Sequence, residues 1–429
     1  MSFVWLLFTS FILLLLSGVP VAFCLGISAG IYFLVTDMPL NMMAQRFFSG
    51  LDSFTLLCVP GFILAGNLMN AGGITARIVG FCNKLVGHIR GGLSLANIVA
   101  SMIFAGISGT AVADSASLGG ILIPAMKKEG YEADFAVGVT AASSCIGPII
   151  PPSLPMIIAA TLTGLSVSKM FVAGIVPGIL MGFGMMGVSY FVSCKRGHPK
   201  NEKRAALREV LGSGRDAFWA LLMTVIILLG IIGGIVTPTE ASIIAVVYAL
   251  CVGFFVYKEL TLRDIPRILK ESIITAASIM VLVGGANLFA EIMSKEQIPQ
   301  MVANALLGVT RSRFLILLLI NILLLFVGCF METIAALLIL FPVLLQVVVS
   351  VGVHPIHFGI IMVLNLVLGL TTPPVGVCLF VTSSIGKISL AQAARGVFPF
   401  LIVNLVVLFL ITYIPVLTLG PVSLVFGTR

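Results

Sequence analysis

Charged side chains are scarce in this chain: Asp, Glu, Lys and Arg make up 9% of its 429 residues, against roughly a quarter in a soluble domain. No polar stretch is long enough to fold as a water-exposed domain, which excludes an appended catalytic module. The 8 cysteines lie mostly singly within apolar runs; this fits packed thiols and neither a disulfide framework nor a zinc site. Only 4 histidines occur, and the one close pair, His354 and His357, has Pro355 between its members and lacks a metal-ligand pattern. There is no P-loop, so coupling to ATP within the chain is not expected. The Gly pairs Gly72-Gly73 and Gly91-Gly92 follow no strand and make no nucleotide fold.

What is abundant is apolar surface, with 59% hydrophobic residues and a mean hydropathy of +1.20. Apolar runs of about 20 residues, the length of a membrane span, recur along the whole chain. An all-α polytopic membrane protein is the expected fold class. Met1–Leu16 lacks a basic flank and is followed by Gly18 and Pro20 rather than a cleavage site, so it is expected to stay as a helix. The net charge of +8 forms no nucleic-acid stripe, because the basic residues sit in short inter-helix loops. They report topology. Lys195, Arg196, Lys200, Lys203, Arg204, Arg208 and Arg215 mark one cytoplasmic loop, and Lys258, Arg263, Arg267 and Lys270 a second. Arg77, Lys84, Arg90, Lys127 and Lys128 put two more loops on that side, whereas residues 36–53 carry Asp37 and Asp52 with only Arg46. The N-terminus is then expected to lie on the opposite, periplasmic side.

Two apolar stretches break at a double proline, Gly147-Pro148-Ile149-Ile150-Pro151-Pro152-Ser153 and Gly369-Leu370-Thr371-Thr372-Pro373-Pro374-Val375, 222 positions apart (369 − 147). Proline removes a backbone donor and clashes with the preceding turn, so each run must interrupt its helix. The same gap, with no insertion, carries Gly106, Gly130, Gly164, Gly174 and Pro177 onto Gly328, Gly352, Gly386, Gly396 and Pro399. Duplication is the simplest account.

Arg90 and Lys127 lie on one side of the segment between them, so that segment must enter the membrane and return as a re-entrant hairpin with its tip at residues 106–111. Arg311 and Arg313 follow a span that starts in the cytoplasm, so the equivalent hairpin, with its tip at residues 328–333, enters from outside. The expected organisation is residues 1–53 as N-terminal scaffold helices and 54–193 as a first repeat, with hairpin 91–126 and broken helix 131–164. A basic loop and scaffold helices follow at 194–272, then a second, inverted repeat at 273–429 with hairpin 311–350 and broken helix 356–386. Ile74–Arg90 and Ser294–Thr310 read as amphipathic arms. Inverted repeats with broken helices point to a secondary transporter whose site lies at mid-membrane.

A monovalent cation such as Na⁺ wants oxygen ligands, and carbonyl dipoles with a hydroxyl or two replace its hydration shell without adding full charge. Ser108 and Thr110 with the carbonyls of Gly147, Ile150 and Pro152 would form one cage. The gap predicts a second from Gly369, Thr372 and Pro374, facing a tip with Gly328, Glu332 and Thr333. Asp114, Ser153, Glu332 and Thr371 are candidate substrate contacts, although Asp114 serves equally as a helix-start carboxylate. Free amides where the half-helices restart favour an anionic substrate. No transition metal or other cofactor is expected.

The basic-loop layout, the GISGTAVADSASLGG hairpin and the GPIIPPS and GLTTPPVG breaks resemble the large membrane subunit of the tripartite ATP-independent periplasmic (TRAP) transporters, the DctM-like family, over essentially the whole chain. The resemblance implies an elevator-type Na⁺ symporter for organic acids such as C4-dicarboxylates or sialic acid. It also implies a soluble periplasmic binding protein that feeds it and a small four-helix membrane subunit, expected here as a separate chain. The family's sodium positions fall on Ser108, Thr110, Gly147, Ile150 and Pro152, and on Gly328, Thr333, Gly369, Thr372 and Pro374. One departure stands out: Phe330 and Glu332 occupy the second tip where Ser108 and Thr110 occupy the first.

A stand-alone divalent-anion symporter would share the hairpins and need no binding protein. An intramembrane enzyme would need Ser108 or Ser115 with Asp114 and a base at their depth; no His or Lys is expected there, so catalysis is not. Asn67, Asn97, Asn287, Asn321 and Asn365 read as interhelical hydrogen-bonding residues, and Glu240 after Thr237-Pro238 as a turn or cap.

Overall fold

The computed structural model describes residues 2–200, 204–310, 312–373 and 376–427, and among them all regular structure is helical. Among the described residues, eight helices are long and apolar enough to cross a membrane. The chain opens with α1 (Ser2–Leu16) and α2 (Val21–Val35), separated at Gly18 (φ +84°) and Pro20. Each has 15 residues, about 22 Å at 1.5 Å per residue, short of a bilayer core of about 30 Å. Residues 36–53, expected within the N-terminal scaffold region, hold a short amphipathic helix, α3 (Leu40–Leu51), with no buried residue. It lies on the helix α13 described below: Arg46 pairs with Glu291 at 3.2 Å, and Asn287 donates to the Arg46 carbonyl at 2.9 Å.

After a 3₁₀ turn come α4 (Cys58–Ala71) and α5 (Ile74–Val86). Gly73 between them has φ +73°, and a Cβ there would lie 1.6 Å from the Glu259 carboxylate. Glycine is required on both counts. Arg77 closes this junction, with Glu259 at 2.6 Å and the Tyr257 ring 4.0 Å beneath its guanidinium.

The centre of each half is a helical pair followed by an interrupted helix. In the first half these are α6 (Gly92–Ser108), α7 (Ala111–Lys128), α8 (Ala133–Ser144) and α9 (Leu154–Thr163), and α10 (Val167–Arg196) ends the half. Next come α11 (Leu207–Ile232), α12 (Pro238–Cys251), α13 (Ile265–Lys295) and α14 (Ile298–Val309). Thr237 and Glu240 form a reciprocal capping box on α12, the cap expected for Glu240. The second half runs through α15 (Arg313–Phe330), α16 (Thr333–Ser350), α17 (Pro355–Gly369), α18 (Val377–Gly386) and α19 (Leu390–Tyr413) to a short α20 (Val416–Phe426). The gap of 222 holds at both ends of one helix pair: α7 covers 111–128 and α16 covers 333–350 (333 − 111; 350 − 128).

Burial places the interrupted helices at the core. Every residue from Phe135 to Ser144 and from Ile356 to Gly369 is buried. Asparagines join helices there as expected: Asn97 donates to Thr140 Oγ1 at 2.6 Å, Asn365 to Asn321 Oδ1 at 2.7 Å, and Asn321 to Thr412 Oγ1 at 3.1 Å. Each such bond is worth about 0.6 to 2 kcal/mol between membrane helices. The peripheral α11 and α12 instead expose apolar side chains such as Leu229 and Val247, the surface that lipid or another membrane chain covers.

Candidate functional site

The first break begins where α8 runs out of donors. Gly147 N–H still reaches the Ser144 carbonyl (3.2 Å) and Ile150 N–H the Ile146 carbonyl (3.0 Å). Pro148, Pro151 and Pro152 have no N–H to continue the ladder. The chain restarts as α9 because Ser153 Oγ accepts from Met156 N–H at 3.2 Å while donating to the Pro148 carbonyl at 2.5 Å. Ser153, a candidate substrate contact, is therefore the N-cap of α9.

The tip joining α6 and α7 lies against this break. Gly109 has φ +63°, and a Cβ on it would stand 3.1 Å from the Pro152 carbonyl oxygen. Thr110 is the N-cap of α7, accepting from Ala113 N–H at 3.4 Å, and is partly exposed. Asp114, fully buried one turn into α7, turns its carboxyl onto Gly147, where a Cβ would come within 2.1 Å of Oδ2. Thus Thr110, Asp114, Gly147, Pro152 and Ser153 come together. Ile150 is part of the same loop, and its side chain packs on Gly178. Ser108 ends α6, and its side chain lies outside the described residues.

The second tip and second break are also in contact, more tightly. A Cβ on Gly369 would lie 2.4 Å from the Gly328 carbonyl carbon, so the two backbones touch. Gly376 N–H, at the restart of α18, reaches the Cys329 carbonyl at 3.4 Å. Thr371 and Thr372 both turn their hydroxyls back to the Leu368 carbonyl at 2.9 Å. Glu332 caps α16, accepting from Ile334 and Ala335 N–H at 2.9 and 3.2 Å, where a negative charge meets the positive helix end. Thr333 Oγ1 is buried and has no hydrogen-bond partner among the described residues. An orphaned buried hydroxyl is costly unless an ion, water or ligand completes it, so the donor chemistry of this tip fits an oxygen-seeking cation. Pro374 lies outside the described residues.

The two breaks meet each other. Cys145 Sγ donates to the Val367 carbonyl at 3.3 Å and stands 3.9 Å from Thr371 Oγ1. Two hairpin tips and two interrupted helices thereby form one cluster of carbonyls, hydroxyls and two carboxyl groups, with Asp114 fully buried and Glu332 at its exposed edge.

Beside the first tip lies a cavity of about 150 Å³ between α7 on one side and α4 and α13 on the other; Asn67, Asn70, Thr110, Ser117, Leu154 and Thr275 are among its lining residues. Asn67 also makes the interhelical bond expected of it, to Ser272 Oγ at 2.8 Å. Asn70, Ser117 and Thr275 carry no motif, and only the meeting of three helices brings them together. A second cavity, of about 190 Å³, lies near Ser49, Ser53, Thr161 and Asn287.

His354 and His357 do not act together. His354 caps α17 through Ile356 N–H (3.2 Å), and His357 contacts Thr418 Oγ1 (2.8 Å) and the Thr412 carbonyl (3.3 Å). Among the described residues no group of three His, Cys, Asp or Glu could hold a metal.

Residues 8–417 match the family described as the tripartite ATP-independent periplasmic transporter, DctM component. The chain is 44% identical over 407 residues to the sialic acid TRAP transporter large permease of Vibrio cholerae, covering 95% of each chain. It is 41% identical over 397 residues to the C4-dicarboxylate TRAP transporter large permease of Pseudomonas aeruginosa, covering 92% of this chain and 93% of that one. Among solved structures, the Alcanivorax borkumensis YdaH transporter has a similar fold, with a TM-score of 0.64 at 15% identity, over 90% of this chain and 88% of that one.

Proposed function

The chain belongs to the DctM family of TRAP transporter large permeases, and from that premise we propose that it imports an organic acid anion across the bacterial inner membrane in symport with Na⁺. In this reading it works with a small membrane subunit and receives the acid from a periplasmic binding protein. The observation that carries the reading is the joining of both tips to both breaks, with Cys145 bonded to Val367 between them.

One cation site is assigned to Ser108, Thr110, Gly147, Ile150 and Pro152, and a second to Gly328, Thr333, Gly369, Thr372 and Pro374. Glycines at the contacts let carbonyl oxygens approach as closely as ligands must, and the orphaned Thr333 hydroxyl supports the second assignment. When bound, the cation supplies positive charge beside Asp114 and Glu332 and so makes room for an incoming anion. Asp114, Ser153, Glu332 and Thr371 are assigned as the substrate contacts of the two tips and breaks, and the amides opening α7 attract the carboxylate.

Transport then requires the cluster to move as a body relative to α4 and α13. The left-handed backbones at Gly73 (φ +73°) and Gln297 (φ +54°) stand where α5 and α14 leave α4 and α13, and they suit α5 and α14 as arms of an elevator. In this reading the end carrying Lys127, Lys128, Lys195 and Arg196 faces the cytoplasm, and the N-terminus faces the periplasm. The test is uptake into proteoliposomes containing both membrane subunits, with the binding protein outside. Uptake should follow an imposed Na⁺ gradient. Equal uptake with K⁺ in place of Na⁺ would reject symport, and equal uptake without the binding protein would favour a stand-alone anion symporter.

A further inference from the structure

Two ion pairs fasten α5 to the helices outside the cluster, and they differ in kind. Arg77, one turn past the Gly73 hinge, is enclosed: Nη2 pairs with Glu259 at 2.6 Å, Nη1 donates to the Gly73 carbonyl at 2.9 Å, and the Tyr257 ring lies 4.0 Å beneath the guanidinium. Tyr257 is itself fixed, its hydroxyl donating to the Asp216 carbonyl of α11 at 2.6 Å. Seven residues on, two turns and about 10 Å along the same face of the helix, Lys84 pairs with Glu209 of α11 at 3.1 Å. Here both side chains are half exposed, 50% and 56%, against 24% for Arg77. The base of the second arm is held in a related way, because the Tyr32 hydroxyl donates to the Glu296 carboxylate beside the left-handed Gln297. Helix α14 itself contains no charged residue, so nothing along it can repeat the pair at Lys84.

We propose that Arg77 is a positioning residue, the fixed point on which the first arm pivots, and that Lys84 on Glu209 is a latch that opens when the arm swings. This deepens the elevator reading and rests on it. A glycine hinge alone leaves the backbone free to wander. A guanidinium gripped by a carboxylate, a carbonyl and a ring face holds the hinge in place while the helix turns about it. An exposed ion pair contributes little against water, so Lys84 on Glu209 biases the resting position without locking it. Because the latch exists on one arm only, it holds one end of the travel, the position with α5 against α11.

The test reads position directly. Cys194 and Cys251 are exposed and the other six cysteines buried, so spin labels go to one native site on α10, which packs on the first break at Gly174 and Gly178, and one at the end of α12. Pulsed electron–electron distance measurement is made on the purified complex with the small membrane subunit in nanodiscs, with melting temperature alongside. Wild type should show two distances. Lys84→Gln should shift their ratio about two- to fivefold away from the resting one and leave the distances themselves unchanged. Arg77→Gln, and separately the milder Glu259→Gln, should broaden the distribution by about 1.5-fold or more, and the double variant no further than the broader single, because the two act through one contact. With two distances present, an unchanged ratio in Lys84→Gln, wild-type widths in both Arg77→Gln and Glu259→Gln, or additive broadening in the double variant overturns the inference. A lower melting temperature with neither change also overturns it, since packing alone accounts for that. A single distance in every protein would instead reject the moving body, and the pivot with it.

Discussion

Cys145 donates its thiol to the carbonyl of Val367, the residue 222 positions later (367 − 145), which is its own counterpart under the gap that aligns the two halves. The thiol is fully buried, so replacement tests the junction directly. Cys145→Ala removes the thiol and its hydrogen bond without adding bulk, a cost of about 1 kcal/mol. Cys145→Phe overpacks two helix breaks at once and should cost about 1 to 3 kcal/mol and stop transport. Melting temperature and uptake, measured side by side, separate the two.

Glycine substitutions should divide by what a Cβ would meet. Gly369→Ala places a methyl 2.4 Å from the Gly328 backbone, and Gly147→Ala places one 2.1 Å from Asp114 Oδ2. Gly80→Ala, within α5, meets nothing within 4 Å and should be stabilising by up to about 1 kcal/mol. The first pair should lose uptake and the third should keep it. Equal melting temperatures for all three would contradict the packing described.

At the end of the molecule near Lys127, Glu132 ties the start of α8 to the segment after α10. Its carboxylate accepts from His198 Nε2 at 2.5 Å, with Arg196 at 3.7 Å. Burial opposes its ionisation, but the hydrogen bond from His198 and the nearby positive charge outweigh this and hold the carboxyl below the usual carboxylate range. A depressed carboxylate stabilises above its unfolded value of 4.5, and that contribution disappears as pH falls through the folded value. Melting temperature in the wild type should therefore drop on acidification below 4.5 more steeply than in Glu132→Gln, with no difference in slope at higher pH.

Thiol labelling checks the burial pattern independently. Cys194 and Cys251 are exposed and Cys145 and Cys378 buried, so a small membrane-permeant maleimide should modify the first two in the folded protein and the second two only after denaturation. Rapid labelling of Cys378 in the resting protein would mean that the second break is open.

Most of the central architecture could be read from the sequence because prolines and glycines punctuate it. Pro151-Pro152 and Pro373-Pro374 announce the interruptions, and the unbroken gap of 222 pairs them. What stayed hidden depends on contacts between distant segments. Helix α3 has too few apolar residues to read as a span and is held by Arg46 on Glu291. Helix α20 is a separate short helix tied back by Thr418 to His357, a contact that no local pattern announces. Of the site, the glycine and proline loops were legible as sites of close backbone approach, whereas the capping roles of Ser153 and Glu332 and the cavity wall at Asn70 and Thr275 follow only from packing.

The central claim is that the oxygen-lined tips and breaks hold the coupling cation, and its most direct measure is equilibrium binding of radioactive ²²Na⁺ to the purified two-subunit complex. Wild type should bind with an affinity that Thr110→Ala and Thr372→Ala each weaken about tenfold, near 1.4 kcal/mol, with the double variant losing saturable binding. Saturable Na⁺ binding that is the same in the wild type, both single variants and the double variant would contradict the account.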